Sequence, residues 1–198
     1  MYVPEFFSPP DETALAGLIH AHPFGTLVSD DLQASHIPFL LQQEEEGLVL
    51  CGHVAKANPH WQVFDGASPA LAIFLGPDGY ISPSWGDCSK LVPTWNYMIV
   101  HARGVPQVVE GRADKVHLLH LMTEAHEASQ STPWAIGDLD GQKLEQLLEA
   151  LVVFRMPVTS LEGKWKLSQN RAPADKAAFI DAVEARGDIE LAAAMKQA

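Results

Sequence analysis

Three of the chain's thirteen Lys and Arg residues fall within eight positions, in the run Leu161-Glu162-Gly163-Lys164-Trp165-Lys166-Leu167-Ser168-Gln169-Asn170-Arg171. In extended conformation Lys164, Lys166 and Ser168 project to one face and Trp165 and Leu167 to the other. Two ammoniums and a hydroxyl suit an anion, and an adjacent indole suits an aromatic ring. An ordinary strand with a solvated lysine face accounts for the same spacing. A second cation lies in Gly52-His53-Val54-Ala55-Lys56-Ala57-Asn58-Pro59-His60-Trp61. This segment joins a strand end to a helix start, where free backbone N–H groups favour an anion. Lys56 and Asn58 would add a charge and an amide; alternatively Asn58 only caps the helix and Lys56 is solvated. A third group, Val92-Pro93-Thr94-Trp95-Asn96-Tyr97 with Tyr80-Ile81-Ser82-Pro83-Ser84-Trp85, has the types that hold a flat heteroaromatic ligand. Core packing is the simpler account of Trp95 or Tyr97 taken singly. His117, His120 and Glu124 share one helix face and are metal-ligand types, but no second cluster completes a shell. That face reads as solvated and pH-sensitive near neutrality, with no metal expected.

The rest of the chain limits what these groups can be. Its 198 residues carry a net charge of −12, with 47% hydrophobic and 19% charged residues. That composition is globular, and the acidity opposes a surface devoted to nucleic acid or anionic membrane. No P-loop, dinucleotide-binding glycine fingerprint or nucleophile elbow is present, nor a helix pair with a basic recognition helix. Met1-Tyr2-Val3-Pro4-Glu5-Phe6-Phe7 lacks a basic n-region and an apolar h-region, and the apolar run 70–75 is far below the roughly 20 residues of a membrane span. With only Cys51 and Cys88, 37 positions apart, the expectation is a reduced, soluble, cytoplasmic protein.

Positioning the candidate groups requires short strands and a few helices. Asp11-Glu12 opens a helix with a Leu15, Leu18, Ile19 stripe that stops at His22-Pro23. Strands are expected over 24–28, 32–41 and 47–53, with Ser29-Asp30-Asp31 joining the first two and the acidic 42–46 segment as a solvated turn. A short helix over 58–64 takes Asn58 as cap and Pro59 as first residue. The apolar run 69–75 reads as a strand buried on both faces, followed by a tight hairpin turn at Gly76-Pro77-Asp78-Gly79. Further strands are expected over 94–102 and 105–109, then helices over 114–128 (Asp114 capping) and 142–151. An extended segment over 152–168 and a helical stretch over 173–196 complete the chain. The fold class is mainly β with peripheral helices (α+β), a small antiparallel barrel.

Six collinear segments also resemble a known family. Met1-Tyr2-Val3-Pro4, His36-Ile37-Pro38-Phe39-Leu40-Leu41, Gly52 through Pro59, Tyr80 through Trp85, Val92 through Tyr97 and the 161–171 run are similar to the PaiB-type family, described as FMN-binding negative transcriptional regulators. The likeness runs from residue 1 to about 185. It implies a split β-barrel of the FMN-binding type over 1–198, with a helical C-terminal extension from about residue 172, and a homodimer with flavin at the subunit interface. By that resemblance the strand over 35–40, with Ser35 and His36, lies along the isoalloxazine, partly through backbone groups. His53, Lys56 and Asn58 fall in the phosphate-gripping segment. Trp95, Asn96, Trp165, Lys166 and Gln169 approach the ring or ribityl chain, from the partner subunit. One departure is the loop after Trp85, which passes through Gly86-Asp87-Cys88-Ser89-Lys90 without the longer Trp-Tyr insertion of family members. This would alter access to the site.

Two function classes follow. One is a dimeric FMN-binding regulator that acts without direct DNA contact and without a membrane. The alternative is an FMN-dependent oxidoreductase acting on a small molecule, with the cofactor supplying the redox chemistry and no catalytic base evident. A haem ligand is a third reading, by analogy with related barrels.

Overall fold

A computed structural model describes residues 1–87 and 89–198. Cys88, and with it the expected pair of reduced thiols, lies outside the described residues. The chain order is α1 (Glu12–Ala21), β1 (Phe24–Ser29), β2 (Ala34–Pro38), β3 (Leu40–Glu44), β4 (Gly47–Ala55), β5 (Ala70–Ile81), β6 (Thr94–Gly104), β7 (Gln107–Val108), α2 (Arg112–Glu127), α3 (Gly141–Ala150), β8 (Leu151–Lys166), α4 (Pro173–Ala185) and α5 (Ile189–Gln197). The strands hydrogen bond in the order β2-β1-β5-β6-β8-β4-β3, and β7 pairs with β8. Two compact units emerge: unit A, of Met1–His22, Phe74–His101 and Glu162–Ala198, and unit B, of Pro23–Ile73 and Ala102–Leu161.

In unit B the pairings β1–β2, β3–β4, β4–β8 and β7–β8 are all antiparallel. Side chains alternate along a strand, and β4 uses both faces. Leu50, Gly52 and Val54 alternate with Val49, Cys51 and His53, and all but His53 are buried. A Cβ on Gly52 would stand 2.8 Å from the Phe154 ring, so the glycine admits that ring on one face. Phe154 also meets Phe39 edge-on at 6.2 Å and Phe64 at 4.8 Å. On the other face Val49 and Cys51 pack with Leu118 and Leu119 of α2 and Leu148 of α3. Emptying the Phe154 position by an alanine substitution would cost about 3–5 kcal/mol.

In unit A the buried stripe of α1 is Leu15, Leu18 and Ile19, and Asp11 caps the helix by accepting from the Ala14 N–H at 2.8 Å. Helices α4 and α5 bury Phe179, Val183, Leu191, Ala192 and Met195. The hairpin expected at Gly76-Pro77-Asp78-Gly79 does not form, and β5 runs straight through it. Neither glycine has a positive φ; each is instead a point of close approach. A Cβ on Gly76 would lie 2.6 Å from Leu18 Cδ1, and one on Gly79 would lie 2.7 Å from Leu191 Cδ2. The 70–75 run alternates between buried and half-buried positions up to an exposed Leu75, and is not buried on both faces.

Other boundaries shift for local reasons. The expected 32–41 strand breaks at Phe39, whose N–H bonds to the Pro23 carbonyl at 2.9 Å. The acidic turn is shorter than expected, because β3 extends to Glu44, which pairs with Arg155 at 2.5 Å. Gly111, not Asp114, caps α2, and Asp114 occupies the first turn. The 58–64 helix is a 3₁₀ turn over Pro59–Val63 with Asn58 as cap. The C-terminal helical stretch divides at Gly187, with φ +89°. There the Gly187 N–H bonds to Glu184 and the Asp188 N–H to Val183, the paired bonds of a Schellman stop.

Candidate functional site

The candidate residues fall into two groups of five, one in each unit. In unit B, β1 and β2 form a hairpin whose turn contains Leu32 at φ +66°, and Ser29 N–H bonds to Gln33 O at 3.1 Å. That bond fixes the ladder's alternation: Ser35 and Ile37 exchange hydrogen bonds with β1, opposite Leu27 and Gly25. The N–H and C=O groups of Ala34 and His36 therefore point away from β1. Since β2 ends the strand order, they have no second strand among the described residues. The same pleat sends the Ser35 side chain inward and His36 outward, where its Nδ1 meets Thr26 Oγ1 at 2.9 Å.

The Ser35 side chain is buried. It belongs to a line of five side chains centred on His60, which is 1% exposed. Asn58 Nδ2 donates to Ser35 Oγ at 3.0 Å, and Ser35 Oγ meets His60 Nδ1 at 2.8 Å. On the other side of the ring, His60 Nε2 meets Ser29 Oγ at 2.9 Å, and Ser29 Oγ donates to Asp31 Oδ1 at 2.5 Å. Counting protons settles the directions. Ser29 spends its hydrogen on Asp31, so His60 Nε2–H must donate to Ser29. Burial favours the neutral ring, so with the hydrogen on Nε2 the Nδ1 keeps its lone pair, and Ser35, which accepts from Asn58, donates its own hydrogen there. The imidazole is thus the neutral Nε2–H tautomer, in keeping with burial, which lowers its pKa from the ordinary 6.5 against the opposing pull of Asp31. Asp31 is held down at about 2, first by the Ser29 hydroxyl and then by Gln33. Asn58 Oδ1 accepts the His60 backbone N–H at 3.0 Å, so both ends of its amide are engaged.

His53 and Lys56 stand apart from this line. His53 is on the β4 face that carries Val49 and Cys51, its Nδ1 is buried without a partner among the described residues, and burial, then the neighbouring His126, lowers its pKa. Lys56 is exposed and its side chain makes no ion pair or hydrogen bond among the described residues, while its carbonyl accepts from Trp61 Nε1 at 2.9 Å. Asn58 caps this segment, and Lys56 stands exposed beside it.

In unit A the structure separates exposed groups from buried ones. Trp95 is 54% exposed, and Tyr80 meets it edge-on at 6.2 Å. Lys166 donates to Thr94 Oγ1 and, at 2.6 Å, to the Trp95 carbonyl, leaving one of its three N–H donors. Burial lowers its pKa, with help from Lys164 and Arg171. The Lys164 ammonium lies 5.4–5.8 Å from the ring centres of Tyr2, Phe7 and Tyr97. Asn96 is 1% exposed and forms a reciprocal pair with Ser168: Nδ2 to Oγ at 2.9 Å and Oγ to Oδ1 at 3.1 Å. Ser168 is beyond the end of β8 with φ +67°, so it does not share a strand face with the lysines as the spacing suggested. Trp165 is buried, and Gln169 folds back to accept from Leu167 N–H at 2.7 Å and donate to the Trp165 carbonyl at 2.6 Å.

Outward-facing groups available to a ligand are therefore the β2 edge with His36, Lys56, Trp95 and the remaining Lys166 donor. The sequence reading missed His60, Ser29 and Asp31. The signal it could have used is a histidine two residues after a capping Asn, with serines ending one strand and opening the next. No group of three His, Cys, Asp or Glu among the described residues could hold a metal, and His120 pairs with Glu124 at 3.6 Å. No helix among them is long and apolar enough to cross a membrane.

The family model described as "Putative FMN-binding domain" matches residues 1–160. Over 187 residues the chain is 30% identical to the Protease synthase and sporulation protein PAI 2 of Bacillus subtilis, covering 93% of this chain and 89% of that protein. The fold is similar to the Flavocytochrome Anf3 from Azotobacter vinelandii, with a TM-score of 0.64 at 12% identity over 89% of this chain and 78% of the other. It is also similar to the FAD and Heme binding protein from Mycobacterium smegmatis, with a TM-score of 0.60 at 15% identity over 86% and 79%.

Proposed function

The chain belongs to the FMN-binding domain family and is a split-barrel FMN-binding protein resembling the PaiB regulators, and from that premise we propose which of its residues hold the flavin. The residues fit the group. A phosphate dianion calls for a cation, a flat heterocycle for an aromatic face and for backbone donors and acceptors along its edge. Unit B offers the outward N–H and C=O of His36 along the edge of β2, and Lys56 for the phosphate. In a homodimer, unit A of the partner copy supplies Trp95 against the ring system and the free donor of Lys166. Asn58 and Ser35 support the unit B groups from behind, and Asn96, Trp165 and Gln169 those of unit A. FMN, when bound, supplies one- and two-electron redox chemistry.

The observation that carries the reading is the exposed Lys56, an ammonium without a partner among the described residues in a chain of net charge −12. The same charge supports regulation through a partner or a metabolite in the cytoplasm, without direct contact to DNA. The test is a visible-absorption and fluorescence titration with FMN and, in parallel, riboflavin. FMN should bind more tightly than riboflavin, and Lys56→Ala should weaken FMN by about 10–100-fold, the worth of one charge-assisted contact, while leaving riboflavin unchanged. Equal FMN affinity in the variant would refute the phosphate assignment. Salt-dependent binding to duplex DNA would refute the indirect mode of regulation, and steady oxidation of a reduced nicotinamide nucleotide by the loaded protein would establish the oxidoreductase.

A further inference from the structure

The line Asn58–Ser35–His60–Ser29–Asp31 ties together three pieces of unit B: the edge strand β2, the 56–58 turn and the β1–β2 turn. His60 is its only member with a partner on each side of a ring, and it is too deeply buried to touch a ligand. We propose that His60 is the positioning residue of the flavin site: in its neutral form it locks β2 and the 56–58 turn into one arrangement, and protonation releases them. The proposal rests on the reading that the β2 edge and Lys56 hold FMN.

The chemistry follows from the proton count. A neutral Nε2–H ring offers Ser35 a lone pair and gives Ser29 a hydrogen, so each hydroxyl in the line both donates and accepts. An imidazolium carries hydrogen on Nδ1 as well. Ser35 would then accept from both Asn58 and the ring, and its own buried hydrogen would lose its acceptor, a cost relieved only by turning the hydroxyl toward a new one. Ser35 immediately precedes His36, whose N–H and C=O line the outer edge of β2, and Asn58 is two residues from Lys56. A change at the ring is thereby delivered to both proposed contacts without crossing any other side chain. Asp31 is the charged group facing His60, acting through Ser29. From β2 the ring meets Ser35, and from its own segment it meets Asn58 and the Phe64 ring at 5.2 Å. Burial outweighs the attraction of Asp31, so neutrality is the resting state.

The experiment uses the full chain and two variants, His60→Gln, whose amide can accept and donate as the neutral ring does, and His60→Phe, which can do neither. Nitrogen NMR of the wild type at pH 7.5 should show His60 protonated at Nε2 only; hydrogen on Nδ1 would overturn the proposal. His60→Phe should bind FMN about 10-fold or more weakly, and His60→Gln within about 3-fold of wild type. Between pH 7.5 and 5.5 the wild type should lose more FMN affinity than His60→Gln. The phosphate's own titration is common to both proteins and cancels in the ratio. Wild-type affinity in His60→Phe, or identical pH ratios in wild type and His60→Gln, would overturn it. If His60→Phe does not fold, the pH ratio of His60→Gln decides. If the wild type binds no FMN, the flavin reading fails separately, and amide exchange at Ser35 and Ile37 decides: faster exchange in the variants supports the lock, and unchanged protection removes it.

Discussion

Asn96 separates a ligand contact from a structural one, and the two roles predict opposite results for Asn96→Ala. The resemblance puts Asn96 near the flavin, but its amide is consumed by Ser168 in a pair that is nearly inaccessible. The substitution removes two hydrogen bonds and strands the Ser168 hydroxyl in the interior. Both contacts share the one Ser168 hydroxyl, so the pair counts as one net bond of about 1 kcal/mol, the stranded hydroxyl costs about 1–3 kcal/mol, and the loss should be about 2–4 kcal/mol. For a chain of this size that lowers Tm by about 4–16 °C. Ser168→Ala should cost a similar amount, because it strands the amide instead. The double variant should be less destabilised than the sum, by about 1–2 kcal/mol, since no unpaired group then remains. Urea unfolding gives the stabilities, and FMN titration well below the transition should give affinities within about 3-fold of wild type. A tenfold loss of FMN affinity with unchanged stability would show that Asn96 touches the flavin and that its pairing with Ser168 is incidental.

Other outcomes test the fold and its titration. Gly76→Ala places a methyl against the end of Leu18 and should cost about 1–3 kcal/mol by urea unfolding, whereas Gly17→Ala, with nothing within 4 Å of its Cβ, should be neutral or stabilising. His53 and His60 both have pKa values below the ordinary 6.5 in the folded chain. The unfolded chain therefore takes up protons first as pH falls, and their contribution is complete above about 6.5 and declines as pH drops toward the folded values, by at most about 1.4 kcal/mol per unit and per group. Urea midpoints at pH 7.5 and 5.5 should show this slope, and His53→Gln should reduce it. Gly187→Ala forces a Cβ into the left-handed stop between α4 and α5 and should cost about 1 kcal/mol, read as a lower thermal midpoint.

The elements were largely legible because period and punctuation agree along most of the chain. The Asp11 cap, the His22-Pro23 stop and the Asn58-Pro59 start each act through the few residues beside them. The error at Gly76-Pro77-Asp78-Gly79 has the opposite origin. Those residues have turn chemistry, but the glycines serve Leu18 and Leu191, which are 58 and 112 positions away in sequence, and no local pattern announces such a contact. The site was legible as residue types and not as roles. Lys56 and Trp95 stand exposed, as a ligand contact requires. Asn58, Asn96 and Gln169 are amides whose partners come from backbone and hydroxyl groups that alternation alone does not identify. His60 passed unnoticed because a buried histidine is recognisable only once Ser29 and Ser35 are known to flank it.

The outer edge of β2 has a consequence for how this chain avoids its own kind. An unpaired strand edge is a template for aggregation, and its risk grows with the number of backbone donors in line. Here Pro38 contributes none, Phe39 turns its N–H back to Pro23, and only Ala34 and His36 direct donors outward. Two donors give a foreign strand little to align on, and in the proposed flavin site the same two face the edge of a single heterocycle. An edge this short limits pairing between copies, and the proposed contact asks for no longer one.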